Sequence, residues 1–197
     1  MWCSDCARTV EPLAPDVLEG IPLVAAGRLQ GPLQHAIHAY KYQGHSRLAR
    51  DLVLPMALAI AAAGIEISAL TFVPLHPTRQ RKRGFNQGER LAAELGRRIG
   101  RPVVAGLSRV RTTPAQVGLS QAERRVNQLG AFAWSGPQPA PQGLALVDDV
   151  CTTGATLEAA GAAIREAGGS IVAFTVLARA QALPAPAVTL PEQSACS

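Results

Sequence analysis

Apolar positions along the chain fall into two patterns, which predict strands that alternate with helices. Short apolar runs, typical of strands in a sheet that is covered on both faces, occur at 23–29, 70–75, 144–147 and 171–177. Apolar residues at helical spacing occur at 31–42, 45–63, 88–99 and 157–164. The last strand, helix and strand form a βαβ unit, so we expect an α/β fold with a mostly parallel central sheet flanked by helices.

The segments between these elements carry weaker signals. Pro55 should kink or break the second helix. A polar, irregular stretch at 111–118 predicts a mobile loop, and Ser120 with Glu123 has the spacing of a capping box that starts a helix. Shorter strand candidates occur at 102–104, 108–110 and 131–134.

Length and composition favour one domain with short appendages. The chain has 197 residues, of which 48% are hydrophobic but only 4% aromatic, so its core should be aliphatic. Residues 1–20 are weakly periodic and form an N-terminal appendage, and residues 21–180 form the domain. Residues 181–197 hold three prolines and little periodicity, so we expect a disordered tail.

Nothing in the sequence predicts membrane insertion or export. The longest uncharged stretch of helical character, 52–65, contains Pro55 and is shorter than the roughly 20 apolar residues of a membrane span. No basic stretch followed by an apolar run marks a secretory signal at the N-terminus. We therefore expect a cytoplasmic protein, in which the four cysteines do not form a disulfide framework.

Positive charge is concentrated in one segment. Residues 79–101 carry eight Arg and Lys residues and two acidic residues, Glu89 and Glu94. The net charge of this segment, 8 − 2 = +6, exceeds the net charge of the whole chain, which is +5. Such a segment indicates an anionic partner, either a phosphorylated small molecule or nucleic acid, and a solvated helix face is the alternative interpretation.

The strongest chemical signal is the segment 144–156, LALVDDVCTTGAT. Asp148 and Asp149 follow a buried strand, at the end where ligands of open parallel sheets bind. The next residues lead into a helix, whose N-terminus presents unpaired N–H groups and a partial positive charge. These loop residues are Cys151, Thr152, Thr153, Gly154, Ala155 and Thr156. Threonine hydroxyls add donors and Gly154 permits close backbone approach, so we expect this loop to hold a phosphate.

Two carboxylates beside a phosphate loop would repel the anion unless they serve another part of the ligand. They can accept hydrogen bonds from vicinal sugar hydroxyls, or they can bind a hard cation such as Mg²⁺. A phosphate and a diol on one ligand describe a ribose 5-phosphate. The alternative is an acidic strand end followed by a Thr-rich helix cap. The segment matches neither a Walker loop nor the dinucleotide GxGxxG pattern.

The same segment resembles the signature with which type I phosphoribosyltransferases bind phosphoribosyl pyrophosphate, PRPP. A second segment, VPLHPTRQRKRGFNQGERLA at 73–92, closely resembles the ComF (ComFC) family, whose members carry a VP…R…RGFNQ…LA pattern. AIHAYKYQG at 36–44 and the segment 111–132 also fit that family. The resemblance covers residues 22–180 and implies a type I phosphoribosyltransferase-like fold.

The resemblance assigns roles to individual positions. Asp148 and Asp149 would act as catalytic residues that contact the ribose hydroxyls, and His76, at the end of an earlier strand, is the third catalytic candidate. The 5-phosphate loop maps onto 151–156. The pyrophosphate site maps onto Leu75, His76, Arg79, Arg81 and Arg83. The mobile loop over the ligand maps onto 111–120, which includes Arg111, Thr112 and Gln116.

The implied reaction displaces pyrophosphate from ribose C1 by a nitrogen nucleophile, with Mg²⁺ as the cofactor. Its catalysis would rest on positioning and on stabilisation of the charge of the leaving pyrophosphate. The acceptor cannot be identified from the sequence. His35, His38 and His45 are further general-base candidates, with a helix-surface position as the alternative for each.

ComF proteins are associated with bacterial competence, the uptake of single-stranded DNA and natural transformation. The resemblance therefore extends the expected partners to single-stranded DNA, to competence proteins such as a DNA-uptake helicase, and to a second copy of the chain in a homo-oligomer. Arg97, Arg98 and Arg101 lie beyond the pyrophosphate arginines and are the candidates for DNA or partner contact.

Two other hypotheses stand beside the enzyme. One is a non-catalytic module that senses PRPP or a nucleotide, and the other is a single-stranded DNA binder that keeps the fold as a scaffold. The low aromatic content of 4% gives the DNA hypothesis little support, because single strands are usually stacked on several aromatic side chains.

The N-terminal cysteines raise the question of a zinc site. ComF relatives usually begin with a zinc ribbon of two CxxC pairs, because zinc needs four ligands. Here only Cys3 and Cys6 form such a pair, so we expect a short degenerate ribbon remnant. Two alternatives stay open: an upstream start that supplies another pair, and two chains that share one Zn²⁺ ion.

Overall fold

A computed structural model describes residues 6, 10, 13–42, 45–111 and 130–180, without the side chains of Ser46, Arg79 and Lys82. Its elements, in chain order, are β1 (Asp16–Leu18), β2 (Ile21–Arg28), α1 (Gly31–Tyr42), a 3₁₀ turn (Ser46–Leu48), α2 (Ala49–Ala63), β3 (Ala69–Phe72), α3 (Pro77–Arg83), α4 (Gln87–Ile99), β4 (Leu107–Arg109), β5 (Phe132–Trp134), β6 (Leu144–Cys151), α5 (Ala155–Glu166) and β7 (Ile171–Arg179).

The main sheet has five strands in the order β1-β2-β7-β6-β3. Strand β1 runs antiparallel to β2, and all other neighbouring strands of this sheet are parallel. Strands β4 and β5 form a separate antiparallel pair. The predicted α/β class, with a mostly parallel central sheet flanked by helices, is confirmed.

Both faces of the main sheet are covered, which explains the continuous apolar runs of its strands. Helices α1, α2 and α4 pack on the first face, where β6 contributes Ala145 and Val147. Helix α5 and the β4–β5 pair pack on the second face, where β6 contributes Leu144 and Leu146. Successive side chains of a strand point to opposite faces of the sheet. Since both faces are covered, every position of this part of β6 is apolar.

Helix α2 shows where the helical prediction needed correction. The chain forms a 3₁₀ turn before the helix begins at Ala49, and the helix then continues through Pro55 without a break. Proline costs a backbone hydrogen bond inside a helix. Burial of Leu52, Val53 and Met56 against the sheet offsets that cost, because tertiary packing supplies most helical stability in proteins.

Other corrections concern short elements. Strand β3 ends at Phe72, not at Pro74 as predicted, and the predicted strand at 102–104 is only an isolated bridge between Val103 and Leu70. Helix α3 was not predicted, because its sequence PTRQRKR has no apolar periodicity. Strand β1 lies inside the segment assigned to the N-terminal appendage. The predicted loop beyond residue 111, the helix from Ser120 and the tail at 181–197 lie outside the described residues.

The connections that leave β3 and β6 run to opposite faces of the sheet. Helix α4, which follows β3, packs on the first face, whereas α5, which follows β6, packs on the second. Because β3 and β6 are neighbours, their carboxyl ends flank a topological switch point, and the crevice outside such a point is where open α/β sheets bind ligands. None of the helices in the described ranges is long and apolar enough to span a membrane.

Candidate functional site

The acidic pair lies at the end of β6, on the crevice between β3 and β6. Asp149 is 4% exposed and Asp148 is half-buried. The backbone N–H of Asp149 donates to Asp148 Oδ1 at 2.8 Å. Lys41 Nζ lies 2.8 Å from Asp149 Oδ1, while Asp149 Oδ2 is buried and has no hydrogen-bond partner among the described residues. The pair therefore keeps one buried acceptor available.

The two carboxylates influence each other's charge. Burial and the neighbouring Asp149 carboxylate raise the pKa of Asp148 to about 7, although its hydrogen bond from Asp149 and the charges of Lys41 and Arg109 act in the opposite direction. The site therefore binds a proton near neutral pH, and its charge depends on what occupies it.

Lys41 is held in place by the contact between α1 and α4. Tyr40, which is fully buried, donates its hydroxyl to the Gln87 backbone carbonyl at 2.9 Å and packs against Phe85, with ring centroids 5.4 Å apart. Burial, with a smaller contribution from the Asp149 charge, raises the pKa of Tyr40, so its hydroxyl stays a neutral donor. This contact fixes the last turn of α1, which carries Lys41.

The RGFNQ segment forms the junction between α3 and α4. Gly84 ends α3 in a left-handed conformation at φ 82°, and Asn86 caps α4 by accepting from the N–H groups of Gly88 and Glu89 at 3.0 and 3.3 Å. A Cβ at Gly88 would lie 3.0 Å from the Val73 carbonyl oxygen and 3.5 Å from that of Val147. The motif therefore places the N-terminus of α4 directly over the ends of β3 and β6.

The predicted phosphate loop follows β6 on the second face. Gly154 adopts φ 88° immediately before α5, and a Cβ there would lie 2.6 Å from the nearest methyl carbon of Leu18. Thr153 Oγ1 lies 3.5 Å from the Ala155 N–H, and no side chain caps the helix more closely. The first N–H groups of α5 therefore lack a close side-chain cap within the described residues, and helix N-termini of this kind can bind anions.

Cys151 faces the interior of the protein, although it belongs to the predicted loop. Its thiol is buried against Arg179, and burial raises its pKa to about 11 despite that cation. Cys151 is therefore a neutral packing residue at physiological pH, and the ligand-facing part of the loop begins after it.

The predicted pyrophosphate residues follow β3 at the same edge of the sheet. His76 caps α3, with Nδ1 accepting from the Thr78 N–H at 3.3 Å, and Leu75 is half-buried before it. Arg81 is exposed, and the Arg83 guanidinium lies over the Tyr42 ring, 5.1 Å from its centroid. Arg79 lies on α3, but its side chain is not among those that the structure describes.

Arg97, Arg98 and Arg101 lie away from the acidic pair. They occupy the C-terminal end of α4 and the residues after it, roughly 15 Å along the helix from its N-terminus. Arg97 pairs with Glu94 at 2.5 Å. Arg97 and Arg98, together with Arg50 from α2, line a surface depression of about 550 Å³. The structure therefore separates these arginines from the predicted pyrophosphate residues.

The structure describes two of the five remaining predicted residues, Cys6 and Arg111. Cys6 is half-buried and packs against the first-face core, whereas Cys3 is outside the described residues. No group of three or more His, Cys, Asp or Glu residues suited to a metal occurs in the described ranges. Arg111 is exposed, and Thr112 and Gln116 lie beyond the description. The zinc site and the mobile loop therefore stay predictions.

Two charged residues at the site were not predicted. Lys41 had a visible signal, because the YKY sequence sits at the end of a helix inside a segment that resembles the ComF family. Arg179 also had one, because it ends a run of nine residues in which Thr175 is the other polar side chain. Neither signal says that the side chain turns towards the end of β6, which depends on the order of the strands.

The fold and these side chains define a doubly wound α/β protein, with an acidic strand end between two helix N-termini at its switch point. The chain is 34% identical over 166 residues to Competence protein F of Haemophilus influenzae, which covers 80% of this chain and 72% of that protein. The chain therefore belongs to the competence protein F family.

The chain was also compared with family models and with solved structures. No family model matches the chain. The crystal structure of orotate phosphoribosyltransferase from Aeropyrum pernix matches with a TM-score of 0.36 and 19% identity, over 70% of this chain and 72% of that one.

Proposed function

We propose that this protein binds PRPP, or another ligand with a ribose 5-phosphate, at the crevice between β3 and β6, and that it acts in bacterial competence. The observation that carries the proposal is Asp149 Oδ2, which is buried without a hydrogen-bond partner among the described residues, on the strand that leads into the loop before α5. A buried carboxylate oxygen without a partner is costly, and a sugar hydroxyl would satisfy it.

The three parts of such a ligand match three parts of the crevice. The 5-phosphate would accept hydrogen bonds from the N-terminal N–H groups of α5 and from the threonines before it. The ribose hydroxyls would donate to Asp148 and Asp149. The pyrophosphate would lie towards α3, where His76, Arg81 and Arg83 follow β3.

Lys41 would adjust the charge of the crevice. Without ligand its ammonium compensates Asp149, with which it forms an ion pair at 2.8 Å. When ribose hydroxyls satisfy the carboxylate, the same ammonium can donate to a phosphate oxygen, because Lys carries three donors. This exchange would keep a positive charge beside the ligand.

Magnesium fits the chemistry of this site. Asp148 and Asp149 offer hard carboxylate oxygens, and Mg²⁺ usually takes one or two carboxylates together with phosphate oxygens of the substrate. It would neutralise charge on the pyrophosphate.

The proposed reaction breaks the bond between ribose C1 and the pyrophosphate oxygen, which leaves with the bonding electrons, and forms a bond from C1 to a nitrogen acceptor. The acceptor nitrogen loses its proton to a base, for which His76 is the candidate. The cations around α3 would stabilise the leaving pyrophosphate. The alternative is a PRPP- or nucleotide-sensing adaptor that uses the same ligand without turnover.

Titration calorimetry with PRPP and Mg²⁺, followed by pyrophosphate release over a panel of nitrogenous bases, tests the proposal. We expect PRPP binding that Asp149→Asn weakens by at least tenfold. Release that requires a base supports the enzyme, and binding without release supports the sensor. Absence of PRPP binding to the wild-type protein would reject both.

The depression formed by Arg50, Arg97 and Arg98 supports a second proposed function, contact with single-stranded DNA. Each phosphate that a cation neutralises contributes a slope of about −0.7 to the dependence of log affinity on log salt concentration. Arg50→Gln/Arg98→Gln should make that slope less negative by about 1.4 without changing PRPP affinity. An unchanged slope would argue against DNA contact at this surface.

A further inference from the structure

Arg179 is a buried cation that the ligand chemistry above does not use. It ends β7 and is 4% exposed, although burying a guanidinium is costly unless it is paired and hydrogen-bonded. The groups that contact the guanidinium therefore indicate its structural role.

The guanidinium is directed at the segment that begins the phosphate loop. Arg179 Nη1 donates to the Thr152 carbonyl, lies 3.4 Å from the Cys151 carbonyl oxygen and lies 3.0 Å from Cys151 Sγ. The Cys151 carbonyl also accepts from the Ala180 N–H at 2.9 Å, as part of the sheet. The Thr152 carbonyl lies past the end of β6, so Arg179 contributes most at that position.

The orientation of the Thr152 carbonyl sets the direction of the next N–H group. In a trans peptide unit the C=O of one residue and the N–H of the next point in opposite directions. If the Thr152 carbonyl turns inward to Arg179, the Thr153 N–H turns outward, away from the protein interior. The N-terminus of α5, which presents unpaired N–H groups of its own, begins two residues later at Ala155.

Strand β1 contacts both Arg179 and the loop, although β2 and β7 separate it from β6 in the sheet. Asp16 Oδ2 lies 3.5 Å from Arg179 Nε, and Leu18 packs on Gly154. Asp16 is the carboxylate that pairs with the buried guanidinium, so it helps to set the direction in which Nη1 points.

We propose that Arg179 is a positioning residue for 5-phosphate binding, and that Asp16 of β1 holds it in place. Arg179 fixes the Thr152–Thr153 peptide so that its N–H faces the phosphate, and it adds a buried positive charge behind the loop. The proposal rests on the 5-phosphate site proposed above. It assigns a ligand-binding consequence to β1, which lies outside the crevice.

Titration calorimetry of three ligands tests the proposal: PRPP, ribose 5-phosphate and inorganic pyrophosphate. Asp16→Asn keeps the size of the side chain and removes its charge, and we expect about twofold to fivefold weaker binding of PRPP and of ribose 5-phosphate. Arg179→Lys keeps the charge but loses the planar donor geometry, and we expect at least tenfold weaker binding of both. Pyrophosphate affinity should change by less than twofold in either variant.

Matched controls separate charge effects from site effects. Glu66→Gln removes an exposed carboxylate just before β3, at the opposite edge of the sheet, and Arg165→Lys changes an exposed arginine of α5. Both should bind all three ligands like the wild-type protein. Far-ultraviolet circular dichroism and thermal unfolding of each variant show whether it is folded at the titration temperature.

Three outcomes would overturn the proposal. Lower thermal stability of Asp16→Asn with unchanged affinities would show a merely structural role. Equal weakening of all three ligands would show a general loss of the site. If the wild-type protein binds neither ribose 5-phosphate nor PRPP, the proposed function falls together with this inference. If Arg179→Lys does not fold, Asp16→Asn decides alone.

Discussion

The two halves of the crevice are built in different ways. The half at Asp148 and Asp149 consists of side-chain charges, one of which binds a proton near neutral pH and one of which is compensated by Lys41. The half at 152–156 consists of backbone N–H groups, which have no titratable proton in this range and are held by Gly154 and Arg179. The comparison indicates that pH and substitution should act differently on the proposed recognition of the sugar and on that of the phosphate.

The largest effect should come from Gly154→Ala, which disturbs the half of the crevice that consists of backbone N–H groups. The left-handed φ costs about 1 kcal/mol for Ala, and the clash with Leu18 adds about 1–3 kcal/mol. We expect the free energy of unfolding to fall by about 2–4 kcal/mol, together with loss of PRPP binding. Urea denaturation and calorimetry measure the two effects.

Gly31→Ala is the matched control for that substitution. Gly31 also has a positive φ, of 52°, but nothing lies within 4 Å of its would-be Cβ. The free energy of unfolding of this variant should fall by only about 1 kcal/mol, and its PRPP affinity should stay unchanged. Equal losses in the two variants would show that packing of Leu18 on the loop is unimportant.

The next effect should come from Lys41→Met, which leaves Asp149 buried without its cation. Breaking a buried pair costs about 3–5 kcal/mol, and we expect about 2–3 kcal/mol at pH 8 because Lys41 is partly exposed. The cost should shrink at pH 5, because Asp148, whose negative charge Lys41 also compensates, then holds a proton. The double variant Lys41→Met/Asp149→Asn should recover most of the stability at pH 8, and if it does not, the ion pair is not the cause.

Asp148→Asn should stabilise the protein in a manner that depends on pH. The folded pKa of Asp148, about 7, lies above its ordinary value of 3.8, so its ionised form is disfavoured in the folded state. The resulting loss of stability is fully present above pH 7, declines as the pH falls and is absent below 3.8. The whole shift corresponds to about 4 kcal/mol, and because Asp148 is half-buried and solvent screens its charge, we expect a gain of about 1–2 kcal/mol at pH 8 and none at pH 3.5. A gain that does not vary with pH would contradict the assignment.

The smallest effect should come from Arg97→Gln, which lies outside both halves. Its exposed pair with Glu94 is worth about 0.2–0.5 kcal/mol. PRPP affinity and its pH dependence should not change. A tenfold loss of PRPP affinity would mean that the ligand extends to the C-terminal end of α4.

The sequence predicts the backbone half of the site better than the charged half. The strand, the loop and the helix from 144 to 164 are contiguous, so local pattern and cap chemistry identify them together. Lys41 and Arg179 reach the acidic pair and the loop through the strand order β2-β7-β6-β3, which no local pattern contains. Helix α3 escaped prediction for a different reason, because a wholly polar helix has no apolar period.

The RGFNQ segment also shows how far a role can be predicted from sequence alone. Its resemblance to a family motif suggested arginines for pyrophosphate. In the structure, Asn86 caps α4 and Phe85 packs on Tyr40. Gly88, just beyond it, brings the N-terminus of α4 against two strand ends. The sequence showed that the segment matters, but the packing of α4 shows that much of its role is positioning.

The distance along the chain between Lys41 and Asp149 has a consequence for folding kinetics. In the sheet, β7 joins β6 to β2, the strand that precedes α1, so we expect the ion pair of Lys41 and Asp149 to form only after β7 has paired with both strands and α1 has docked on α4. Contacts that form after the folding transition state change the rate of unfolding and leave the rate of folding almost untouched. We therefore expect Lys41→Met to speed unfolding in a chevron experiment, so that this pair prolongs the lifetime of the assembled crevice.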